Sequence, residues 1–307
     1  MKPIYKILAA SALALTLTAC DDDDETTAAV GTIVDVAVDN GSFTTLVSAL
    51  QATGLDIALA DDSKTYTVFA PTDEAFAKID TTNLTTDELE DILLYHVIPD
   101  AEIDSTQAID AAGTKVKMAN GDEMALSLTG PDLFANLSKI IDPDVQASNG
   151  VIHAIDTVLL PPAEATTPTQ NIVEIAQGNG DFSTLVTALS ATSDLVSILS
   201  NPDGDFTVFA PTNAAFEALP AGTIDDLLQN PDGALRDILL KHVRAGSVDS
   251  ITAFTLNGAE VEMANGETVK LEIDSGQLTV DGAKVTTFDI RATNGIIHVI
   301  DAVILLD

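Results

Sequence analysis

Tryptophan is absent from the 307 residues, cysteine occurs once, and only 13 side chains are basic. The single Cys20 excludes an intrachain disulfide and a multi-cysteine metal centre. Thirteen basic against 48 acidic groups leave a net charge of −35. A charge of that sign argues against nucleic acid as a partner, because counterion release needs a basic face. Aromatic residues are 4% of the chain, which disfavours an aromatic shelf for stacking sugars. No Gly-x-Ser-x-Gly nucleophile elbow occurs. Gly178-Asn179-Gly180 lacks the third glycine of a phosphate loop and follows Ile-Val-Glu-Ile-Ala-Gln, a helix-like run rather than a strand. Carboxylates are so abundant that no pair singles itself out for glycoside hydrolysis. The sequence therefore points to no enzyme, no cofactor and no metal.

Apolar residues are 46%, enough to build cores, and the length suggests two domains. Residues 1–20 read MKPIYKILAASALALTLTAC. Lys2 and Lys6 precede an apolar run at 7–17, the length of a signal h-region and too short to span a bilayer. The run closes on Leu17-Thr18-Ala19-Cys20, which resembles the bacterial lipobox. That resemblance implies cleavage after residue 19 and lipidation of Cys20, with two or three acyl chains giving a stable membrane anchor. The alternative is a plain secretory signal that leaves a free thiol. Residues 21–25 are four Asp and one Glu, a solvated tether without the alternation of a calcium loop. Without 1–19 the chain carries 11 basic and 48 acidic groups, a net of −37. An Asp directly after the lipidated Cys resembles an inner-membrane retention signal of enteric bacteria, so inner and outer membrane both stay open.

The rest of the chain is one unit written twice. IVDVAVDNGSFTTLVSAL at 33–50 returns as IVEIAQGNGDFSTLVTAL at 172–189. YTVFAPT at 66–72 returns as FTVFAPT at 206–212, and DILLYHV at 91–97 as DILLKHV at 237–243. SNGVIHAIDTVLL at 148–160 returns as TNGIIHVIDAVIL at 293–305. The offsets are 139, 140, 146 and 145 residues, so order and spacing are both kept. Each copy is large enough to bury about two thirds of its unfolded surface. Three prolines in 161–169 mark a short, stiff linker. The expected organisation is a signal peptide at 1–19, a tether at 20–30, one domain at 31–160, the linker at 161–169 and a second domain at 170–307. Acids and bases number 22 and 5 in 31–160, and 21 and 6 in 161–307, so the charge is spread over both.

Phe43, Leu46, Val47 and Leu50 fall on one helix face, as do Phe182, Leu185, Val186 and Leu189, with Ser42 and Asp181 as expected N-caps. Thr67-Val68-Phe69-Ala70 reads as a strand stopped by Pro71, after which Thr72 caps a helix; residues 207–212 repeat this. Thr85 and Glu88 have capping-box spacing, followed by Leu89, Ile92, Leu93 and His96 on one face. Asn120-Gly121, Asn257-Gly258, Asn265-Gly266 and Asp281-Gly282 signal turns between strands. Strands and helices mix without a βαβ rhythm, so the class is α+β.

TVFAPT, a mid-domain Tyr95-His96 pair and NGVIHAID together resemble the fasciclin (FAS1) domain. The second copy carries TVFAPT, Lys241-His242 and NGIIHVID. The resemblance covers essentially the whole chain after the tether, twice. It implies two β-wedges of about seven strands with helices packed around one side. It further implies adhesion: members sit on cell surfaces or in matrices and bind proteins, cells or glycans, and bacterial members are commonly secreted or lipid-anchored. In animal members the Tyr-His pair is tied to integrin binding. Lys241 departs from that pattern and puts a Tyr-dependent contact in the second copy in doubt.

The four histidines are His96, His153, His242 and His298, two per copy. A metal pair with Asp156 or Asp301 is disfavoured, because residues three apart on a strand point to opposite faces. The expectation is a buried imidazole bonded to backbone, fixing a helix against the last strand. If the Tyr-His region contacts a partner, Tyr95, His96 and His242 are the residues concerned. Expected partners are a cell-surface or matrix protein or polysaccharide, with weak divalent-cation bridging to acidic polysaccharide. The expected location is the cell envelope, periplasmic or surface-exposed. The alternative is a glycan- or small-ligand-binding envelope module, which would need a concave apolar pocket.

Overall fold

The computed structural model describes residues 30–81, 83–162 and 167–306. The leader, Cys20, the acidic run at 21–25 and part of the proline-rich segment lie outside these residues.

The first unit opens with α1 (Ile33–Asp39), α2 (Thr44–Thr53) and α3 (Leu55–Leu59) before β1 (Tyr66–Pro71). Next come α4 (Asp73–Phe76), α5 (Thr86–Leu94), β2 (Val97–Pro99) and α6 (Ser105–Asp110). A meander closes it: β3 (Thr114–Lys117), β4 (Glu123–Thr129), β5 (Asp132–Ala135), β6 (Ser138–Ala147) and β7 (Gly150–Ile155). The seven strands form one sheet in the order β2-β1-β7-β6-β5-β4-β3. Every pairing is antiparallel except β1 with β7, which run parallel with Phe69 opposite His153.

The second unit repeats this with α7 (Ile172–Gly178), α8 (Ser183–Ala191), α9 (Leu195–Leu199), β8 (Phe206–Pro211) and α10 (Asn213–Glu217). It adds α11 (Thr223–Gln229), which has no counterpart in the first unit and accounts for the jump in offset from 140 to 146. Then follow α12 (Arg236–Lys241), β9 (Val243–Ala245), α13 (Ser250–Thr255), β10 (Glu260–Glu262), β11 (Thr268–Asp274), β12 (Gln277–Val280), β13 (Ala283–Ala292) and β14 (Gly295–Ile300). The sheet order is the same, with β8 and β14 as the parallel pair.

Several local readings hold. Thr72 accepts from the Ala75 amide, and Thr85 and Glu88 form a reciprocal capping box. Two readings change. The strand does not stop before Pro71 but includes it, because Pro71 sits opposite Ile155 where its missing N–H costs no ladder bond. Ser42 and Asp181 do not cap the helices that follow. α2 starts after Phe43, and the free amide of Thr45 is taken by Asp73 Oδ1 at 2.7 Å. Asn213 Oδ1 does the same for Thr184 at 2.9 Å. The cap comes from the start of α4 or α10, beyond the reach of a local motif.

Each sheet is buried on both faces near its parallel pair. In the first unit Val68 and Ala70 of β1 pack with Phe43, Leu46, Leu50 and Phe76 under the helices. Phe69 faces the other way, into a core with Tyr95, Met118, Met124 and Leu126. α6 lies on that second side through buried Ala108, so the helices do not all pack on one side. Phe43, Phe69, Phe76, Phe182, Phe209 and Phe216 are all buried, each worth roughly 1.5–3 kcal/mol of apolar burial.

The two units touch. Ala125 and Phe134 of the first join the second unit's core beside Phe254 and Leu271. Asn257 Nδ2 donates to Leu128 O at 2.9 Å, while Asn257 Oδ1 accepts from the Ile273 amide at 2.8 Å. Thr129 Oγ1 donates to Ile273 O at 2.9 Å. Asn257-Gly258 is therefore a bridge between units rather than a hairpin turn.

Candidate functional site

Tyr95 and His96 follow directly on α5, where the chain turns into β2. Both are buried, Tyr95 at 0% and His96 at 1% exposure. The Tyr95 hydroxyl donates to Glu123 O at 2.8 Å and accepts from Asn136 Nδ2 at 3.0 Å. Burial pushes its pKa up to about 12, against a smaller downward pull from Asn136. Asn136 has φ of 51°, a left-handed position that asparagine tolerates, and its Oδ1 accepts from the Ala125 amide. One side chain thus ties the β5–β6 turn to β4 and to the end of α5.

His96 makes two backbone bonds. Its Nδ1 lies 2.7 Å from Ile92 O, which can only accept, so Nδ1 carries the hydrogen. Its Nε2 accepts from the Leu159 amide at 2.9 Å. This neutral tautomer pins the last turn of α5 to the segment after β7. Burial lowers the His96 pKa to about 4, opposed by the bond to Ile92. His242 repeats the arrangement with Ile238 O at 2.8 Å and the Ile304 amide at 3.0 Å, and its pKa also falls to about 4 through burial.

His153 and His298 use the opposite tautomer. His153 Nε2 donates to Ile103 O at 2.8 Å, and Nδ1 accepts from the Asp144 amide at 3.3 Å. His298 pairs with Val248 O and the Asp289 amide. Both are lowered in pKa by burial. Their rings sit against Phe69 and Phe209, with centroids 5.5 and 5.6 Å away. The structure brings no two of the four imidazoles onto one ligand. Among the described residues no group of three or more His, Cys, Asp or Glu is arranged to hold a metal ion.

A serine, an aspartate and a histidine do meet in each unit. Ser105 Oγ donates to Asp144 Oδ2 at 2.5 Å, and Ser250 Oγ to Asp289 Oδ2 at 2.5 Å. The same carboxylates accept the Ser105 and Ser250 amides, a first-turn donor of α6 and of α13 that the N-caps Asp104 and Asp249, bonded to Gln107 and Thr252, leave open. The order is Ser to Asp, with the imidazole bonded to backbone. Neither imidazole bonds the hydroxyl, whose partner is the carboxylate, so the serine-histidine contact of a nucleophilic triad is not formed. Asp156 and Asp301 likewise accept backbone amides, those of Lys139 and Lys284.

Sequence reasoning missed two asparagines. Asn149 Oδ1 accepts from the Ile33 amide at 2.8 Å, and Nδ2 donates to Leu59 O at 2.8 Å. Asn294 does the same with Ile172 and Leu199. The following Gly150 has φ of 143°, and a Cβ there would stand 1.9 Å from Tyr66 O. Gly295 has the same constraint from Phe206 O at 2.0 Å. The repeated Asn-Gly is therefore a clasp, closing the N-terminal helices and the first strand onto the last. Its recurrence in register was the available signal.

Lys241 replaces Tyr95 in the second unit, and it too is fully buried. Its Nζ lies 3.0 Å from Glu267 Oε2 and 3.8 Å from Asp281 Oδ2. Asp281 stands where the first unit has Asn136, again at positive φ. An ion group has taken the place of a neutral hydroxyl-amide pair.

Tyr95, His96 and His242, the residues named from sequence for partner contact, thus lie inside the fold, with Cys20 outside the described residues. Among the described residues no helix is long and apolar enough to cross a membrane.

Comparison with known proteins fits this geometry. A family model described as the fasciclin domain matches residues 41–161 and 180–306. Protein sll1483 of Synechocystis sp. is 48% identical over 143 residues, 46% of this chain and 76% of that protein. The transforming growth factor-beta-induced protein ig-h3 of Sus scrofa is 30% identical over 251 residues, 79% of this chain and 35% of that protein. Human periostin is 35% identical over 173 residues, 56% of this chain and 19% of that protein. The chain thus spans about a third of ig-h3 and a fifth of periostin. Among solved structures, the domain pair of the insect cell adhesion molecule fasciclin I aligns at a TM-score of 0.39 and 19% identity, over 87% of this chain and 98% of that one. With two matched domains, each built on the same seven-stranded sheet, the chain belongs to the fasciclin family.

Proposed function

We propose that this protein is an adhesion module of the bacterial cell envelope, held to a membrane through lipidated Cys20 and working without a catalytic step. Fasciclin domains are linked to cell adhesion in homologous proteins. The observation that carries the reading is the condition of the histidines. All four are buried with both ring nitrogens engaged by backbone, which leaves the outer surface rather than a reactive cleft as the working part. Tyr95, His96 and His242 then serve binding by fixing the shape of the surface above them.

That surface is acidic over both units, so its partner is a cell-surface or matrix protein or polysaccharide, with divalent cations bridging to acidic sugars. Two weak sites on one tether gain avidity when both engage together. The test is binding of residues 30–307 to whole cells and to extracted envelope polysaccharide in about 0.5 M NaCl, with calcium and with chelator. Saturable binding supports adhesion, and loss of it on chelation assigns the contact to cation bridging. Absence of binding to every surface overturns the reading. A radiolabelled fatty acid should be incorporated into the full-length protein and not into Cys20→Ala; no label in the unaltered protein, or equal label in the variant, would refute lipid anchoring.

A further inference from the structure

A cavity of about 320 Å³ opens at the seam between the two units. The first unit contributes Leu137, Val158 and Pro161; the second contributes Ile251, Phe254 and Phe288. The wall is built by two left-handed backbone positions. Asn136, at φ 51°, turns Leu137 into the seam, and Asp289, at φ 57°, does so for the strand carrying Phe288.

We propose that this seam binds a neutral, apolar molecule of two to three rings. The inference goes beyond adhesion and does not rest on it. Size is the first argument. The volume is about twice the roughly 150 Å³ of a cavity that accommodates benzene, and far too small for a polymer. Charge is the second. Among the described lining residues none is basic and Asp289 is acidic, in a chain of net charge −35, so an anion is excluded. The third is the polar lining, which is already bonded. Ser250 is held by Asp289, Ser138 bonds Thr157, and Asn136 bonds Tyr95 and Ala125. Recognition therefore rests on shape and apolar contact.

The internal repeat supplies an independent argument. Phe254 and Phe288 pack edge to face, with centroids 5.6 Å apart at 73°. The positions that match them in the first unit hold Ile109 and Pro143, and Ile109 is exposed there. The aromatic pair occurs in the copy whose α13 face meets a second domain. Phe288 remains only partly buried, so a ring is left open to an occupant.

The test uses the soluble chain from residue 30 and two probes with the same rings. N-phenyl-1-naphthylamine is neutral; 8-anilino-1-naphthalenesulfonate adds a sulfonate. The neutral dye should show a saturable fluorescence rise with one site per chain, and the sulfonate should bind at least tenfold more weakly. Leu160→Trp at the mouth and Phe288→Ala in the wall should each weaken the neutral dye fivefold or more. Ile198→Trp, on α9 outside the lining, should leave it unchanged. A variant whose thermal unfolding is no longer cooperative is set aside, and the other decides. The proposal is overturned by no saturable rise, by equal binding of the sulfonate, or by binding that the seam variants do not alter.

Discussion

Lys241 Nζ lies 3.0 Å from Glu267 Oε2 with the lysine side chain wholly buried, at the position where the first unit holds Tyr95. Burying an ammonium is tolerable when carboxylates face it, and removing one partner of such a group costs about 3 kcal/mol or more. Lys241→Met is expected to destabilise the second unit by roughly that amount in urea unfolding. Lys241→Tyr with Asp281→Asn installs the first unit's neutral pair and should recover at least half of the loss. A neutral Lys241→Met would show that the ion group contributes nothing to stability.

Acid should loosen both units through their histidines. The folded pKa of His96 and His242 is about 4 against an ordinary 6.5. A depressed folded pKa means that the unfolded chain takes up the proton first. The stability is therefore complete above pH 6.5 and is lost as pH falls toward 4, by about 3 kcal/mol per histidine. Urea midpoints at pH 7 and pH 5 would measure this. A midpoint that His96→Gln leaves equally pH-dependent would remove His96 as a source.

Gly150→Ala places a methyl against Tyr66 O at a φ of 143°, where neither backbone can yield cheaply. A loss of about 3 kcal/mol or more is expected, enough to threaten folding of a marginally stable domain. Asn149→Ala, which frees the Ile33 amide and Leu59 carbonyl, should cost about 2–3 kcal/mol. Both are read by calorimetry. The same substitution at Gly130, where a Cβ meets nothing within 4 Å, should cost less despite its positive φ.

Salt should stabilise the protein. The charge of −35 repels itself at low ionic strength, and screening over about 10 Å at 0.1 M relieves it. The melting temperature is expected to rise from 20 mM to 0.5 M NaCl. A flat or falling curve would contradict this.

Much of this fold was legible because it was written twice. Repetition in register marked Phe43 with Phe182 and Phe69 with Phe209 as core, and the Thr85 to Glu88 spacing marked a helix start. What escaped depends on contacts remote in sequence. The cap of α2 comes from Asp73, 28 residues from Thr45. The role of Asn149 needs Ile33, 116 residues away. Asn257 belongs to a bridge between units, which no local turn signal distinguishes from a hairpin. The bonding of the histidines to backbone is as their place on apolar stripes suggests, while the partners of Lys241 come from the β10–β11 and β12–β13 turns, 26 and 40 residues further along the chain.

The parallel pairing of β1 with β7 sets a timetable. Tyr66 waits for Gly150, 84 residues later, and Phe206 waits for Gly295. Each sheet is completed by the last strand of its unit, so neither central pair can close on a nascent chain that has not yet delivered that strand. The cost is slow, long-range closure. The gain is a chain that stays threadable until each unit has emerged in full, and then locks with its first and last strands side by side.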